Sequence, residues 1–132
     1  MKQYILRLLA LVLVAAIALG GCTGDKTGLT GNYTQDTLTV INSLRTAINL
    51  PDGTPEKAEA QAKARQAIND FAARYQRDPS LTKLTSFTTM RTALNSLAAH
   101  YNSYPNRPLP QSLKERLEME FSQVERALQR GA

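Results

Sequence analysis

Few side chains in this 132-residue chain could carry out chemistry, and they are widely separated. His100 is the only histidine and Cys22 is the only cysteine. One residue of each type cannot build a Cys/His zinc site, a two-histidine metal site or a disulfide framework. His100 flanks an apolar stripe, which favours a structural or surface role, although a histidine can gain a proton under mildly acidic conditions.

Three glutamates near the C-terminus could bind a hard cation, because Glu115, Glu118 and Glu125 recur at helical spacing. Basic residues are interleaved with them: Lys114, Arg116 and Arg126. A solvated, salt-bridged face is therefore the favoured interpretation. The chain also has no Gly-rich phosphate loop, nucleophile elbow or dinucleotide fingerprint. The sequence predicts a protein that is not an enzyme and that uses no metal and no cofactor.

Cys22 stands at the end of a predicted export signal. A basic start is followed by twelve unbroken apolar residues over 8–19 and then by Gly20, Gly21 and Cys22. Twelve residues span about 18 Å as a helix, which is too short for a bilayer core of about 30 Å. The Leu-Gly-Gly-Cys sequence resembles the lipobox of bacterial lipoproteins, whose cysteine becomes the lipid-modified N-terminus. We predict a signal peptide over 1–21 and lipidation of Cys22; the alternative is cleavage without lipidation.

Length, composition and charge favour one small helical domain. The chain has no tryptophan and only 6% aromatic residues, which is unlike a strand-rich protein. Removing the signal peptide with Lys2 and Arg7 lowers the net charge from +5 to +3. This mild excess favours acidic partner surfaces but is too small for a nucleic-acid-binding protein.

The remaining chain divides into a spacer and four helices. Residues 22–33 contain three glycines and few apolar side chains, so we expect a flexible spacer. Apolar periodicity and the start signals Thr54-Pro55 and Asp78-Pro79 predict the helices. They are expected at 34–48, 55–76, 79–101 and 110–130. Short connections favour antiparallel neighbours. The predicted fold is therefore all-α, an up-down-up-down four-helix bundle over 34–132 that is preceded by a flexible, lipid-tethered spacer.

Two helices carry more specific expectations. The first should turn one apolar stripe inward, formed by Leu38, Ile41, Leu44 and Ile48. Asp36 lies near its start, where the helix dipole favours a carboxylate. The third helix begins with many Ser and Thr residues, which are weak helix formers and allow a separate turn before the main helix.

The connection between the third and fourth helices is the most distinctive segment. Three prolines within six residues, at 105–110, make it stiff. It holds Tyr104 and Arg107 at one end of the bundle, and both residue types are favoured at protein interfaces. Together with Arg91 of the third helix, they are our candidates for partner binding. The alternative is that the prolines only end one helix and begin the next.

Two blocks of sequence resemble a known family. The first has Gly-Leu-Thr-Gly-Asn-Tyr at 28–33, Asp-Thr-Leu at 36–38 and Ser-Leu-Arg at 43–45. The second, stronger block has Met-Arg-Thr-Ala-Leu-Asn-Ser-Leu-Ala at 90–98 and Ser-Tyr-Pro-Asn-Arg-Pro-Leu-Pro at 103–110. With the lipobox, they resemble the cyanobacterial lumenal lipoproteins of photosystem II assembly and repair, number twenty-seven in the Psb series. The resemblance covers essentially the whole mature chain.

The resemblance implies a four-helix bundle, lipid-anchored on the lumenal side of the thylakoid membrane and monomeric when unbound. It implies a non-catalytic factor that binds immature or damaged photosystem II and no nucleic acid. The main contact would be the lumenal domain of the chlorophyll-binding inner antenna protein. Such a factor would keep the extrinsic oxygen-evolving subunits off until the manganese–calcium cluster is assembled.

Two other classes of function remain open from the residues alone. A generic envelope lipoprotein that serves as a scaffold for another complex would share every physical feature except the two family blocks. A metal-handling helper that supplies manganese or calcium would need the acidic face of the fourth helix to bind ions.

Overall fold

The computed structural model describes residues 29–105 and 107–132. The predicted signal peptide, Cys22 and the first part of the spacer lie outside the described residues. The described chain contains helices and no strands: α1 (Tyr33–Asn49), α2 (Pro55–Tyr75), α3 (Pro79–Thr82), α4 (Thr85–Ser103) and α5 (Gln111–Gln129). The predicted all-α fold is confirmed. The one-turn α3 stands apart from α4, as the weak helix propensity at 79–92 allows.

Four long helices form the bundle, and short connections make successive ones antiparallel. α1 packs on α2, and α4 packs on α5, while α1 also contacts α5 and α2 contacts α4. This arrangement closes a ring of four helices around one core.

The helix starts follow from local side-chain chemistry. The Thr54 hydroxyl accepts a hydrogen bond of 3.2 Å from the Lys57 N–H, directly before the proline that begins α2. The Asp78 carboxylate accepts one of 3.0 Å from the Ser80 N–H at the start of α3. In α1, the cap is the Asn32 side chain, which accepts from the Gln35 N–H. Each cap satisfies a backbone donor that has no partner within its helix.

The core is built from all four long helices. Its largest fully buried apolar side chains are Ile41, Leu44, Phe71, Met90, Leu97, Tyr101, Leu117 and Phe121. Burying a large apolar side chain contributes about 1.5–3 kcal/mol each relative to exposure. Phe71 is central to the aromatic part, with ring centroids 5.1 Å from Tyr75 and 6.3 Å from Phe87.

The prediction that Leu38 faces inward is wrong, since 37% of this residue is exposed. The inward face of α1 instead includes Asp36 and Thr37, both fully buried, as well as Val40 and Ile41. The stripe is rotated because the Asp36 carboxylate is held inside by hydrogen bonds, and the Thr37 hydroxyl donates to the Tyr33 carbonyl at 2.6 Å. These hydrogen bonds therefore determine which face of α1 is buried, and Leu38 remains partly exposed.

The end of the predicted spacer belongs to the folded domain. Leu29 is buried in the core, and the backbone N–H groups of Thr30 and Gly31 donate to the Asp36 carboxylate at 2.7 and 2.9 Å. Gly31 has a φ of +91°, which side-chain-bearing residues rarely adopt. A spacer that extends over all of 22–33 is therefore incorrect, since residues 29–32 pack on the bundle and Tyr33 begins α1.

Within the described part of the chain, none of the helices has the length and apolar character needed to cross a membrane.

Candidate interaction surface

The proline-rich connection brings two of the predicted contact residues together. The Arg107 guanidinium carbon lies 5.5 Å from the centroid of the Tyr104 ring, and that ring lies 5.5 Å from the His100 ring. His100 Nε2 is 3.3 Å from the Arg107 carbonyl oxygen. Because 49% of Tyr104 is exposed and Arg107 is also exposed, this cluster is accessible to a partner.

The cluster is held in place by backbone bonds and one buried side chain. The Tyr104 N–H donates to the His100 carbonyl at 2.8 Å, and the Arg107 N–H donates to the Tyr104 carbonyl at 3.3 Å. Leu109 is buried in the core. These contacts and the fixed φ angles of the prolines give a preorganised surface, which reduces the conformational entropy lost on binding.

A groove of about 470 Å³ separates this connection from the turn between α1 and α2. Its lining includes Arg107, Gln61, Asp52 and Lys57. The Lys57 ammonium is buried and bonds the Ile48 and Leu50 carbonyls at 3.3 and 3.1 Å. It also pairs with Asp52 at 2.9 Å, and this bond lowers the pKa of the Asp52 carboxyl. In this groove, Arg107 therefore lies beside the Lys57–Asp52 ion pair, whose two charges offset each other.

Arg91, the third predicted contact residue, lies elsewhere. Thirteen positions separate it from Tyr104, which is about 20 Å along α4. Its guanidinium carbon lies 6.0 Å from the centroid of the Phe87 ring. It borders a small groove of about 110 Å³ between α2 and α4, whose floor includes Ile68 and Leu94. The structure thus joins Tyr104 and Arg107 in one cluster but does not bring Arg91 into it.

Arg65 is a candidate that the sequence did not reveal. Its guanidinium carbon lies 5.7 Å from the centroid of the Tyr101 ring, and the guanidinium donates a hydrogen bond to the Tyr101 carbonyl. Burial raises the pKa of Tyr101 to about 12. Arg65 is exposed and lies one turn from Gln61 of the groove. One feature of the sequence could have pointed to Arg65: helical periodicity places it on a different side of α2 from Glu59.

Three of the four glutamates of α5 form ion pairs, two of them with an arginine of α1. Arg45 pairs with Glu118 at 2.7 Å and with Glu125 at 2.5 Å, and these bonds raise the pKa of Arg45. Arg116 pairs with Glu120 at 2.7 Å. The geometry supports the salt-bridged interpretation of this face. Among residues 29–105 and 107–132, no group of three or more His, Cys, Asp or Glu side chains is arranged to hold a metal ion.

Exposed aromatic and arginine side chains held on a helical bundle are typical of a protein-binding module. Comparison with known proteins identifies one family. The family model described as Photosystem II Pbs27 matches residues 5–128, and the chain belongs to this family.

Individual relatives agree with the family over nearly full length. The chain is 58% identical over 132 residues to the Photosystem II assembly factor lipoprotein Psb27 of Thermosynechococcus vestitus, which covers 100% of this chain and 98% of the relative. It is 56% identical over 131 residues to the Photosystem II lipoprotein Psb27 of Synechocystis sp., covering 99% and 97%.

A solved structure supports the same conclusion. The solution structure of Psb27 from cyanobacterial photosystem II matches with a TM-score of 0.77 and 55% identity, covering 83% of this chain and 96% of that chain. The resemblance found in the sequence is confirmed. The family consists of assembly factors and not of enzymes, so the prediction of a non-enzyme is also confirmed.

Proposed function

We propose that this protein is a non-catalytic assembly and repair factor of photosystem II. The observation that carries the proposal is the 58% identity, across the whole chain, to a relative named as a photosystem II assembly factor lipoprotein. The described fold agrees with this role, because a rigid bundle can occupy a surface without changing shape.

The finer mechanism that we propose is exclusion by occupancy. The protein binds the lumenal face of immature or damaged photosystem II, chiefly at the lumenal domain of the inner antenna protein. It thereby keeps the extrinsic oxygen-evolving subunits off until the manganese–calcium cluster is assembled. Its contacts include Tyr104 and Arg107 at the end of the bundle and Arg91 on α4. The exposure of all three side chains supports this choice.

Anchoring completes the mechanism. Lipidated Cys22 holds the protein on the lumenal side of the thylakoid membrane, and the chain is monomeric when unbound. Confinement of both partners to one membrane face raises their effective concentration, so the interface itself need not be tight. A modest interface suits a factor that has to leave when assembly is complete.

A tagged pull-down from detergent-solubilised thylakoids tests this function, with oxygen evolution measured on the recovered complexes. We expect photosystem II that lacks its extrinsic subunits and does not evolve oxygen. Recovery of fully active complexes, or of no photosystem II, would contradict the proposal and favour a scaffold for another complex.

A further inference from the structure

Three arginines follow the seam between α2 and α4, and each stacks on an aromatic ring. Arg91 lies over Phe87, Arg65 lies over Tyr101 and Arg107 lies over Tyr104, at 6.0, 5.7 and 5.5 Å. We call Arg65, Arg91 and Arg107 the arginine seam. In the described residues none of the three forms an ion pair, so their positive charges are not neutralised within the fold.

The surroundings of the seam are free of competing carboxylates on both helices. α4 contains no Asp or Glu at all. Glu56 and Glu59 of α2 lie on its other side, in a groove shared with Ser43 and Thr46 of α1. Asp70 follows Glu59 by eleven positions, or about three turns, and so shares that side. One acidic residue, Asp52, lines the same groove as Arg107, and it already pairs with Lys57.

A fourth arginine, Arg45, also stacks on an aromatic ring, but it differs from the seam arginines in having carboxylate partners. Arg45 lies 5.9 Å from the centroid of the Phe121 ring, in the same kind of stacking geometry. Unlike the seam residues, Arg45 is bridged by Glu118 and Glu125. The α1–α5 face therefore supplies carboxylates to its stacked arginine, whereas the α2–α4 face supplies none to the three arginines of the seam.

The spacing along the seam fits a short extended chain. Arg91 borders a groove with Ala72, and Arg107 borders one with Gln61, while Arg65 lies between them. Positions 61 and 72 are about 17 Å apart along α2. An extended polypeptide covers this distance with about five residues.

We propose that the arginine seam binds an acidic, extended polypeptide segment of the partner. This inference rests on the proposed function and names the chemistry of its docking site. Each stacked guanidinium is held ready to bind a carboxylate through paired hydrogen bonds. Ile68 and Leu94 line the groove beside Arg91 but are themselves buried, so the seam presents its arginines to the segment. An extended polypeptide places carboxylates in a line at this spacing, whereas an anionic lipid surface spreads its headgroups over a plane.

Binding of a fluorescein-labelled hexaglutamate peptide tests the seam directly. The full chain, purified in non-ionic detergent, is titrated with the peptide at low ionic strength and followed by fluorescence anisotropy. The seam variant combines Arg65→Gln, Arg91→Gln and Arg107→Gln. The control combines Lys63→Gln, Arg126→Gln and Arg130→Gln, which removes the same charge from exposed sites elsewhere.

We expect the seam variant to bind the peptide about tenfold more weakly and the control to change binding less than about twofold. Equal losses in both would show that only net charge matters and would overturn the proposal, as would no binding by the wild type. Thermal melts followed by circular dichroism verify folding. If the seam variant unfolds, the three corresponding Arg→Lys substitutions keep the charge, and an intermediate loss is expected.

Two further measurements separate the alternatives. Seam-dependent binding to phosphatidylglycerol vesicles without binding to the peptide would make the occupant a lipid surface and overturn the proposal. The same variants are compared in the thylakoid pull-down. Undiminished recovery of photosystem II by the seam variant would overturn the seam as docking site and leave the assembly role intact. Failure of the wild type to recover photosystem II would contradict the proposed function, while the peptide titration still decides the seam.

Discussion

The hydroxyl of Tyr75 donates a hydrogen bond to the buried carboxylate of Asp36 and thereby joins the last turn of α2 to the first turn of α1. The same carboxylate accepts bonds from Thr30 and Gly31. Burial alone would raise the pKa of Asp36, but the hydrogen bonds from Thr30, Tyr75 and Gly31 outweigh it, so the pKa is lowered. One charged side chain therefore fastens the incoming chain to two helices.

The first prediction concerns this bond. Tyr75→Phe should lower the free energy of unfolding by about 2 kcal/mol, because a hydrogen bond to a charged group is lost in a buried place. Urea denaturation measures the change. Tyr104→Phe, at an exposed tyrosine, is the matched control and should change stability by less than about 0.5 kcal/mol. Equal effects of the two substitutions would show that the Asp36 bond contributes nothing special.

The second prediction concerns pH. Since the folded pKa of Asp36 is lowered, its contribution is fully present above the unfolded pKa of about 3.9 and is lost as pH falls through the folded value. Thermal melts at a series of pH values should therefore show a component of stability that disappears only below about pH 4. Asp36→Asn should be less stable at neutral pH and should have a shallower acid dependence. Parallel acid dependences of the wild type and the variant would contradict the assignment to Asp36.

The third prediction concerns Lys57, whose ammonium group bonds the carbonyls at the end of α1. Lys57→Met keeps a stem of similar length but leaves two carbonyl oxygens without this donor, so we expect a loss of about 2 kcal/mol in unfolding free energy. Lys63→Met provides the control, because 74% of that side chain is exposed and its surface ion pair contributes little. If both variants unfold at the same urea concentration as the wild type, the buried ammonium has no capping role.

The fourth prediction concerns the contact surface of the proposed function. Arg91→Glu and Arg107→Glu should each reduce the recovery of photosystem II in the pull-down by about tenfold, because a reversed charge repels an acidic surface. Arg126→Glu makes the same charge change on an exposed part of α5 and should leave recovery near that of the wild type. Unchanged recovery with both Arg91→Glu and Arg107→Glu would mean that these contact residues are wrongly chosen.

The fifth prediction concerns the proposed anchor. Cys22→Ser should leave the bundle folded, since the described core begins only at Leu29, but it should weaken retention on membranes. Immunoblots of thylakoids before and after a salt wash measure the retained fraction. Retention equal to that of the wild type would contradict anchoring through Cys22.

Helices could be predicted well from the sequence because their signals are local. Thr54-Pro55 and Asp78-Pro79 mark the starts of α2 and α3 through bonds within a few residues, and apolar periodicity marks the rest. Leu38 was misplaced because its orientation depends on Asp36, whose partners include Tyr75, 39 positions away. The apolar periodicity of a single helix carries no information about a hydrogen bond between residues that are so far apart in the sequence.

The interaction surface was predictable only in part, for a related reason. Proline spacing identified the stiff connection with Tyr104 and Arg107, which are near each other in the chain. Arg65 could not be found this way, since its aromatic partner, Tyr101, lies on another helix. The same holds for the pairing of Arg45 with Glu118 and Glu125, which distinguishes this arginine from the three of the seam.

The N-terminal residues 29–33 and the Tyr104–Arg107 cluster lie at opposite ends of the bundle, which determines how far the cluster is held from the proposed anchor. Residues 29–33 lie beside the start of α4, where the Tyr33 hydroxyl is 2.8 Å from that of Ser86, whereas Tyr104 and Arg107 follow the end of α4. A helix as long as α2, with 21 residues, separates these ends by about 30 Å. In the proposed anchored state, with Cys22 in the membrane, an upright molecule holds Tyr104 and Arg107 about this far above residues 29–33, while Arg91, early in α4, stays nearer the lipid. A partner segment that contacts the whole arginine seam of an upright molecule therefore extends along the membrane normal and does not lie flat on the lipid.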